Sequence, residues 1–312
     1  MERSGGTGER SGGSGTGERS GLTAFVCCCL SGGGNAVGVR FSNRELDPLW
    51  GAAVRFGAAA LVLLAVMALM RLRLPRGRAL AGAALYGVLN FGVTFALAYY
   101  ALVRVHAGLG QTVLALVPLA ALLLVVAQRQ ERFRMSALAG TLVAAAGVAL
   151  ASRAPLQADV PLLSLLAVLG AVVSLAEAAV LVHRLPPVHP VTMNAVGMTA
   201  GAALLFAGSF AAGDTWRLPR LAATWWALAY MVLVGSVLTF VLYLVVVRRW
   251  GASRASYVFV VIPVITILLS AWLDDEELTA GLLLGAPLVL LGVHLGALRP
   301  GRKPPPEGVS SK

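Results

Sequence analysis

Residues 108–148 read GLGQTVLALVPLAALLLVVAQRQERFRMSALAGTLVAAAGV, and residues 253–293 read SRASYVFVVIPVITILLSAWLDDEELTAGLLLGAPLVLLGV. Shifted by 145 residues without a gap, the two stretches agree at nine of 41 positions. Agreement of Leu or Val means little in an apolar chain. Agreement of Pro118 with Pro263, Glu131 with Glu276, Gly140 with Gly285 and Gly147 with Gly292 means more. Both copies run from small polar residues to an apolar run with one Pro, then a charged break with one Glu, then a Gly-spaced apolar run. A period this long marks a duplicated domain half rather than a short solenoid unit.

Composition sets the class. Hydrophobic residues make up 58% of the 312 and charged residues only 12%, about half the charge of a typical soluble domain. The apolar residues fall in runs of about 20, the length a helix needs to cross a bilayer. Backbone groups in lipid must be paired within the segment, so these runs imply helices, and the alternation of a membrane barrel strand is missing. The chain reads as an all-α polytopic membrane protein with spans at 22–40, 48–70, 79–100, 107–127, 135–151, 161–182, 190–212, 222–246, 252–273 and 278–298. Residues 1–21 repeat Glu-Arg-Ser-Gly, lack core-forming side chains and are expected to be disordered, as is the tail 299–312.

The net charge of +11 does not point to nucleic acid, because the basic residues sit in short loops where they set topology. With the N-terminus inside, 18 Arg and Lys lie on the inner side, six on the outer side and Arg55 within a span. That bias predicts both termini inside. Five spans per half is an odd number, so the second half is expected to be inverted. The charged break agrees: it is Arg-rich in the first copy and acidic, Asp274 to Glu277, in the second. Glu131 and Glu276 each precede a helix, where a carboxylate complements the dipole. The expected organisation is a first five-helix repeat, 22–151, and an inverted second repeat, 161–298.

Inverted repeats characterise many secondary transporters, whose halves rock about a site near the bilayer midplane. The ordered motifs go further. They are Asn35 to Arg40, Asp47-Pro48-Leu49-Trp50 with Arg55, Ala107 to Gly110 with Pro118 and Glu131, and Gly251 to Ser256 with Pro263 and Glu276. Over roughly residues 22–298 the chain resembles the EamA-type members of the drug/metabolite transporter superfamily. The resemblance implies export or exchange of small polar metabolites or drugs across the cell membrane, through a cavity lined by spans 1, 3, 4, 6, 8 and 9. Two departures are Ser31 to Asn35, where relatives usually carry a Trp before the Gly, and Gln111, where many carry Ser.

Charges inside spans cost roughly 2.5–3.5 kcal/mol at the bilayer centre and are functional suspects. Two qualify, Arg55 and Glu177. At 1.5 Å per residue Arg55 lies about 10 Å below the outer edge and Glu177 about 8 Å above the inner one. Across a core of roughly 30 Å they are separated by about 12 Å in depth. By depth Asn35 meets Arg55, and Asn194 meets Glu177. Arg55 is expected to snorkel to the outer surface as an anchor, whereas Glu177 is a candidate for proton coupling or cation binding.

Polar residues at helical spacing complete the candidate cavity: Asn90 and Thr94; Ser236, Thr239 and Tyr243; Gln111; Ser253, Ser256 and Tyr257. Each also serves as an interhelical hydrogen bond worth about 1 kcal/mol. Gly32 to Gly34 suit a broken helix with backbone facing a ligand, or close helix packing. Pro118 and Pro263 are expected to kink spans 4 and 9 as hinges. Cys27 to Cys29 are expected to be buried free thiols.

No metal-ligand spacing and no cofactor motif is present; a Walker sequence is missing, which argues against ATP drive within the chain. The expected activity is not enzymatic. A membrane-embedded enzyme lacks its acid, His or nucleophile cluster, and a non-transporting scaffold leaves the inverted repeat unexplained. Expected partners are a small-molecule substrate and the lipid bilayer, without nucleic acid and with room for a homodimer. Few intramembrane charges favour a neutral, zwitterionic or cationic substrate over a highly anionic one.

Overall fold

The computed structural model describes residues 12–102, 113–151, 161–273 and 280–298. Its regular structure is helical among these residues. In order the elements are α1 (Gly12–Gly33), α2 (Asn35–Ser42), α3 (Pro48–Leu69), α4 (78–102), α5 (Val117–Ala127), α6 (Met135–Ala151), α7 (Leu162–Val182), α8 (Pro190–Ala212), α9 (222–250), α10 (Ala252–Ala255), α11 (Val258–Leu273) and α12 (Ala280–Val293). Six helical runs among the described residues are long and apolar enough to cross a membrane: those at Ser20–Val39, Pro48–Leu69, Arg78–Ala101, Leu162–Val182, Pro190–Ala212 and Ala222–Trp250. Four shorter apolar helices lie at Val117–Ala127, Met135–Leu150, Ala252–Thr266 and Leu284–Ala297.

Helix starts follow local chemistry. Pro48 and Pro190 open α3 and α8, where proline loses no intrahelical bond and its fixed φ suits the turn. His189 caps α8 by accepting from the Val191 N–H through Nδ1 at 3.3 Å. Gly213, at φ 74°, ends α8 in the left-handed conformation that a side chain disfavours.

The duplication leaves its mark on packing. α6 crosses α12 with Gly140 against Gly292 and Gly147 against Gly285. A Cβ added at Gly140 would lie 2.6 Å from the Gly292 carbonyl, and one at Gly147 would lie 2.7 Å from that of Gly285. The shift of 145 carries Gly140 onto Gly285 and Gly147 onto Gly292. Each contact is therefore the image of the other, and the repeated glycines are the small-residue seam of this helix pair.

A second duplicated feature is backbone geometry. Residues Val88–Val93 within α4 and Leu233–Leu238 within α9 are π-helical, and they too are separated by 145. In both turns a threonine just past the π segment donates to a carbonyl five residues back. Thr94 bonds Leu89 at 2.7 Å and Thr239 bonds Val234 at 2.8 Å. Each hydroxyl stabilises a turn whose i→i+5 pairing is otherwise rare.

Some expectations need correcting. Helix α1 starts at Gly12, inside the stretch 1–21 expected to be disordered. Contacts to α9 hold its start: Arg249 bonds Ser20, and Gly21 lies directly on the Trp250 ring. Pro118 does not kink its helix but sits in the first turn of α5, where its missing N–H costs nothing. Pro263 does lie inside α11, as does Pro287 inside α12. Cys28 and Cys29 are buried, but Cys27 is exposed. The tail 299–312 and the acidic break with Glu276 lie outside the described residues.

Candidate functional site

The site grows from the π-turn in α9. Closing backbone bonds over five residues rather than four takes carbonyls out of the α register. The Gly235 carbonyl accepts from Asn35 Nδ2 at 3.1 Å and from Arg55 Nη2 at 3.0 Å. Only glycine fits there, because a Cβ at 235 would stand 1.9 Å from Asn35 Oδ1. Arg55 is 3% exposed. Its Nη2 also donates to Asn35 Oδ1 at 2.9 Å, and its Nε to Ser236 Oγ at 2.8 Å. Its Nη1 faces the thioether of Met231 at 3.9 Å. The guanidinium lies 5.0 Å from the Phe56 ring centroid, a cation–π contact.

This overturns the expected outward anchor. Snorkelling would avoid roughly 2.5–3.5 kcal/mol of insertion cost. Hydrogen bonds to a charged group contribute about 1.5–3 kcal/mol each. The three oxygen-directed bonds outweigh the cost, so the side chain turns inward.

Asn35 is placed by a helix break. The turn at Gly34 separates α1 from α2, and carbonyls near the break accept from neighbouring helices. Tyr230 donates its hydroxyl to Ser31 at 3.0 Å, and Thr266 donates to Gly33 at 2.7 Å. The glycines also permit close packing, with Gly32 and Gly33 against Ile262 and Ile265. Both expected roles of this stretch are thus present together.

Beside Arg55 lies a cavity of about 360 Å³. Its wall takes Cys28, Gly32, Asn35 and Val39 from α1 and α2, Arg55 from α3, and Phe95, Ala98 and Tyr99 from α4. Leu114 precedes α5. Thr239, Phe240 and Tyr243 come from α9, and Val258, Phe259, Ile262, Pro263 and Thr266 from α11. Among the described residues α7, the sixth expected span, contributes nothing to this wall, while the second span contributes its arginine.

Of the expected site residues, Asn35, Arg55, Thr239, Tyr243 and the hinge candidate Pro263 line the cavity. Ser236 stands behind Arg55. Asn90 is buried in the other π-turn, and neither amide atom has a hydrogen-bond partner among the described residues. Thr94 is occupied with its own backbone. Ser256 donates to Ala252 at 2.7 Å. Tyr257 donates to Ala137 on α6 at 2.8 Å and lies 3.0 Å from the Thr141 hydroxyl, away from the cavity. Gln111 lies outside the described residues. Sequence reasoning missed Ser31, Tyr99, Tyr230, Met231 and Thr266. Thr266 carried a signal, being the one hydroxyl between Pro263 and Leu269 in an otherwise apolar run.

Glu177 sits elsewhere. It is half-buried on α7 and accepts from Gln128 Nε2 at 2.6 Å, not from Asn194. Asn194 instead meets the Tyr86 hydroxyl at 3.4 Å. Arg184 donates to the Gln128 carbonyl at 3.0 Å in the same corner. Glu131 also differs from expectation. Its Oε1 lies beside Gly251, so that a Cβ there would stand 2.7 Å away, just ahead of α10 in the other half. It does not sit in the first turn of α6, which carries no acidic residue.

At the bundle end formed by residues 43–47 and 213–221, carboxylates tie the two loops together. Asp47 accepts from the Thr215 N–H and hydroxyl at 2.7 and 2.6 Å. Asp214 accepts from the Trp50 N–H at 3.0 Å, and Glu45 from the N–H groups of Arg220 and Leu221 at 3.1 Å each. Hydrogen bonding from Thr215 holds Asp47 below its ordinary value, and bonding from Thr224 and Leu221 does the same for Glu45.

Duplicated helical units closing on one anchored cavity define a multi-pass membrane protein of the solute-carrier type. The chain belongs to the EamA-like transporter family, which matches it twice, over residues 19–153 and 162–296. It is 28% identical over 287 residues to the uncharacterized inner membrane transporter YedA of Escherichia coli strain K12, covering 88% of this chain and 92% of that one. It is 29% identical over 272 residues to an uncharacterized transporter of Archaeoglobus fulgidus, covering 82% and 91%. A crystal structure superposes with a TM-score of 0.76 at 17% identity, over 91% of this chain and 98% of the other, which establishes likeness of fold. The protein is a multi-pass protein of the cell membrane.

Proposed function

We propose that the protein is a secondary transporter that exports or exchanges a small polar metabolite or drug by alternating access. In this reading ten spans form two inverted five-helix repeats, 22–151 and 161–298, with both termini inside. The observation that carries it is the Arg55 centre. Arg55 and Asn35 belong to the first repeat, their partners Gly235 and Ser236 to the second, and the cavity lies between. A rocking motion of one half against the other remakes these bonds, so the centre that holds a solute also senses which half has moved.

Glu177 is the proposed coupling group. Its contact with Gln128 bridges α7 and the end of α5, again across the two halves. Taking up a proton there removes the negative charge that accepts from the amide. A hydrogen-bonded carboxylate at a half-buried site is suited to such an exchange.

The test is flux in proteoliposomes holding the full chain, with and without a pH gradient, for wild type and Glu177→Gln. Gradient-driven accumulation is expected to fall at least roughly 10-fold in E177Q, with solute exchange at zero gradient retained. Undiminished gradient-driven flux would show that Glu177 does not couple protons. Reporter fusions are expected to place loop 274–277 outside, and an inner location would overturn the inverted arrangement.

A further inference from the structure

We infer that the cavity recognises an amphipathic organic monoanion, whose carboxylate is held by Arg55 while its apolar body lies along the aromatic wall. The inference rests on the reading of this cavity as the substrate site.

Arg55 is fully positive at any physiological pH, and a buried charge is normally paired. Here its bonded partners, Asn35, Gly235 and Ser236, are all neutral. The ionisable side chains near enough to act on it are two phenols, Tyr99 and Tyr230. No Asp or Glu forms an ion pair with it among the described residues. The Nη1 group meets only a thioether sulfur at 3.9 Å, a weak acceptor. A guanidinium with one poorly used donor beside an open cavity fits a carboxylate, which accepts in the same plane and supplies the missing charge.

The rest of the wall limits the ligand. Phe95, Tyr99, Phe240, Tyr243, Phe259 and Ile262 supply an apolar, largely aromatic surface. Lysine occurs in the chain only at 303 and 312, far from these elements in sequence, and no second arginine lines the cavity. One cation suits one negative charge and not a phosphate diester chain or a dianion. Nor does the cavity wall carry a carboxylate to receive an ammonium group, so a cation is repelled and a zwitterion gains only half of what it needs. The volume of about 360 Å³ lies near the lower limit for small-molecule sites. The single uncompensated charge thus redirects the expectation of a neutral, zwitterionic or cationic solute.

The experiment uses the purified full chain in nanodiscs, with ligand-induced thermal shift and calorimetry as readouts. The probes are benzoate, phenylacetate, 3-phenylpropionate and hexanoate, each beside its primary amide and the corresponding amine, with phenylalanine as the zwitterion matched to 3-phenylpropionate. At pH 7.5 the best-bound acid is expected to exceed its amide at least roughly 10-fold in affinity, with the amine and phenylalanine weaker still. Arg55→Gln is expected to lower acid affinity at least roughly 30-fold, and Arg55→Lys to retain part of it as a point charge without the fork. Acids that bind no better than their amides overturn the inference, as does an acid that binds R55Q as tightly as wild type. The acid–amide comparison needs no variant, so a misfolded R55Q leaves the inference decidable. Arg55-dependent binding of an acid that shows no counterflow in proteoliposomes keeps this inference and breaks the transport reading. Counterflow of an amide or amine that R55Q leaves unchanged does the reverse.

Discussion

The π-turns at 88–93 and 233–238 are one backbone device used for two ends. Both widen the helix at the same place in the repeat, and both are braced by a threonine bonding five residues back. In α9 the Gly235 carbonyl takes Arg55 and Asn35 across the cavity. In α4 the Leu89 carbonyl takes Ser174 at 2.9 Å, an ordinary helix-to-helix contact, while the Asn90 amide has no partner among the described residues. The helices facing the two turns differ in the same sense. By the shift of 142 that carries Pro48 onto Pro190, Arg55 corresponds to Gly197, which packs against Gly87 of α4. Duplication kept the bent backbone and divergence loaded one copy with a charge. Irregular backbone at membrane depth is tolerated where protein or a cavity satisfies it, and a charged partner is what makes one such turn a site.

The sharpest way to break this comparison is to strip the asparagine from each turn. Asn35→Leu leaves the Arg55 Nη2 group with one acceptor fewer in a buried place, which costs about 2–5 kcal/mol of the interaction it serves. Flux of the transported solute is expected to fall at least roughly 10-fold. Asn90→Leu replaces a buried amide without a protein partner by an apolar side chain of similar size, and is expected to leave flux within about twofold and to raise stability by about 1 kcal/mol. A loss of flux in N90L equal to that in N35L would mean that both turns serve the solute and that the asymmetry is structural only.

A smaller effect separates the two threonines. Thr239→Val removes the brace of its turn, a hydroxyl on the cavity wall and a contact with Ser31 at 2.8 Å. Thr94→Val removes the brace alone. Each brace is worth about 1 kcal/mol, so thermal unfolding is expected to shift similarly in both. Flux is expected to fall several-fold in T239V and little in T94V. Equal flux losses would assign Thr239 to bracing alone.

How far the sequence reads this site follows from what residue spacing can encode. Helix positions are legible because proline and hydropathy are local: α3, α6 and α8 begin at Pro48, Met135 and Pro190, where the apolar runs begin. Depth is legible too, since rise per residue is fixed, and it correctly brought Asn35 to Arg55. Azimuth is not. The two π-turns each insert an extra residue into a turn and rotate all that follows, so the i, i+3, i+7 face assumed for Ser236, Thr239 and Tyr243 is not the face they share. Nor does spacing say whether a long side chain turns inward, which depends on the free carbonyl of Gly235 on another helix. The same blindness placed Glu177 beside Asn194, when the loop residue Gln128 reaches it first. One signal was available: Thr94 and Thr239 also stand 145 residues apart, which extends the repeat back through the turns.

The least effect is expected at the bundle end that the proposed topology places outside, and it tests whether the halves are held by charge. Asp47 and Glu45 sit below their ordinary values of 3.8 and 4.5 because their ionised forms accept hydrogen bonds from the other half. A depressed folded-state value means that the stabilisation is present above the unfolded value and is lost as pH falls through the folded one. The contacts are solvent-exposed, so water screens them and their contribution is small. Melting temperatures of wild type and the Glu45→Gln, Asp47→Asn double variant are expected to differ slightly at pH 7. The gap is expected to narrow as pH drops below about 4 and to close once both carboxyls are protonated. At the opposite end Arg78 and Arg184 stand near one another around a shallow pocket, so no carboxylate tie of this kind forms there among the described residues. A gap that persists unchanged to pH 3 would assign the two carboxyls to side-chain packing, and the outer loops would then be joined by the stacked Trp50 and Trp216 rings, 5.2 Å apart, rather than by charge.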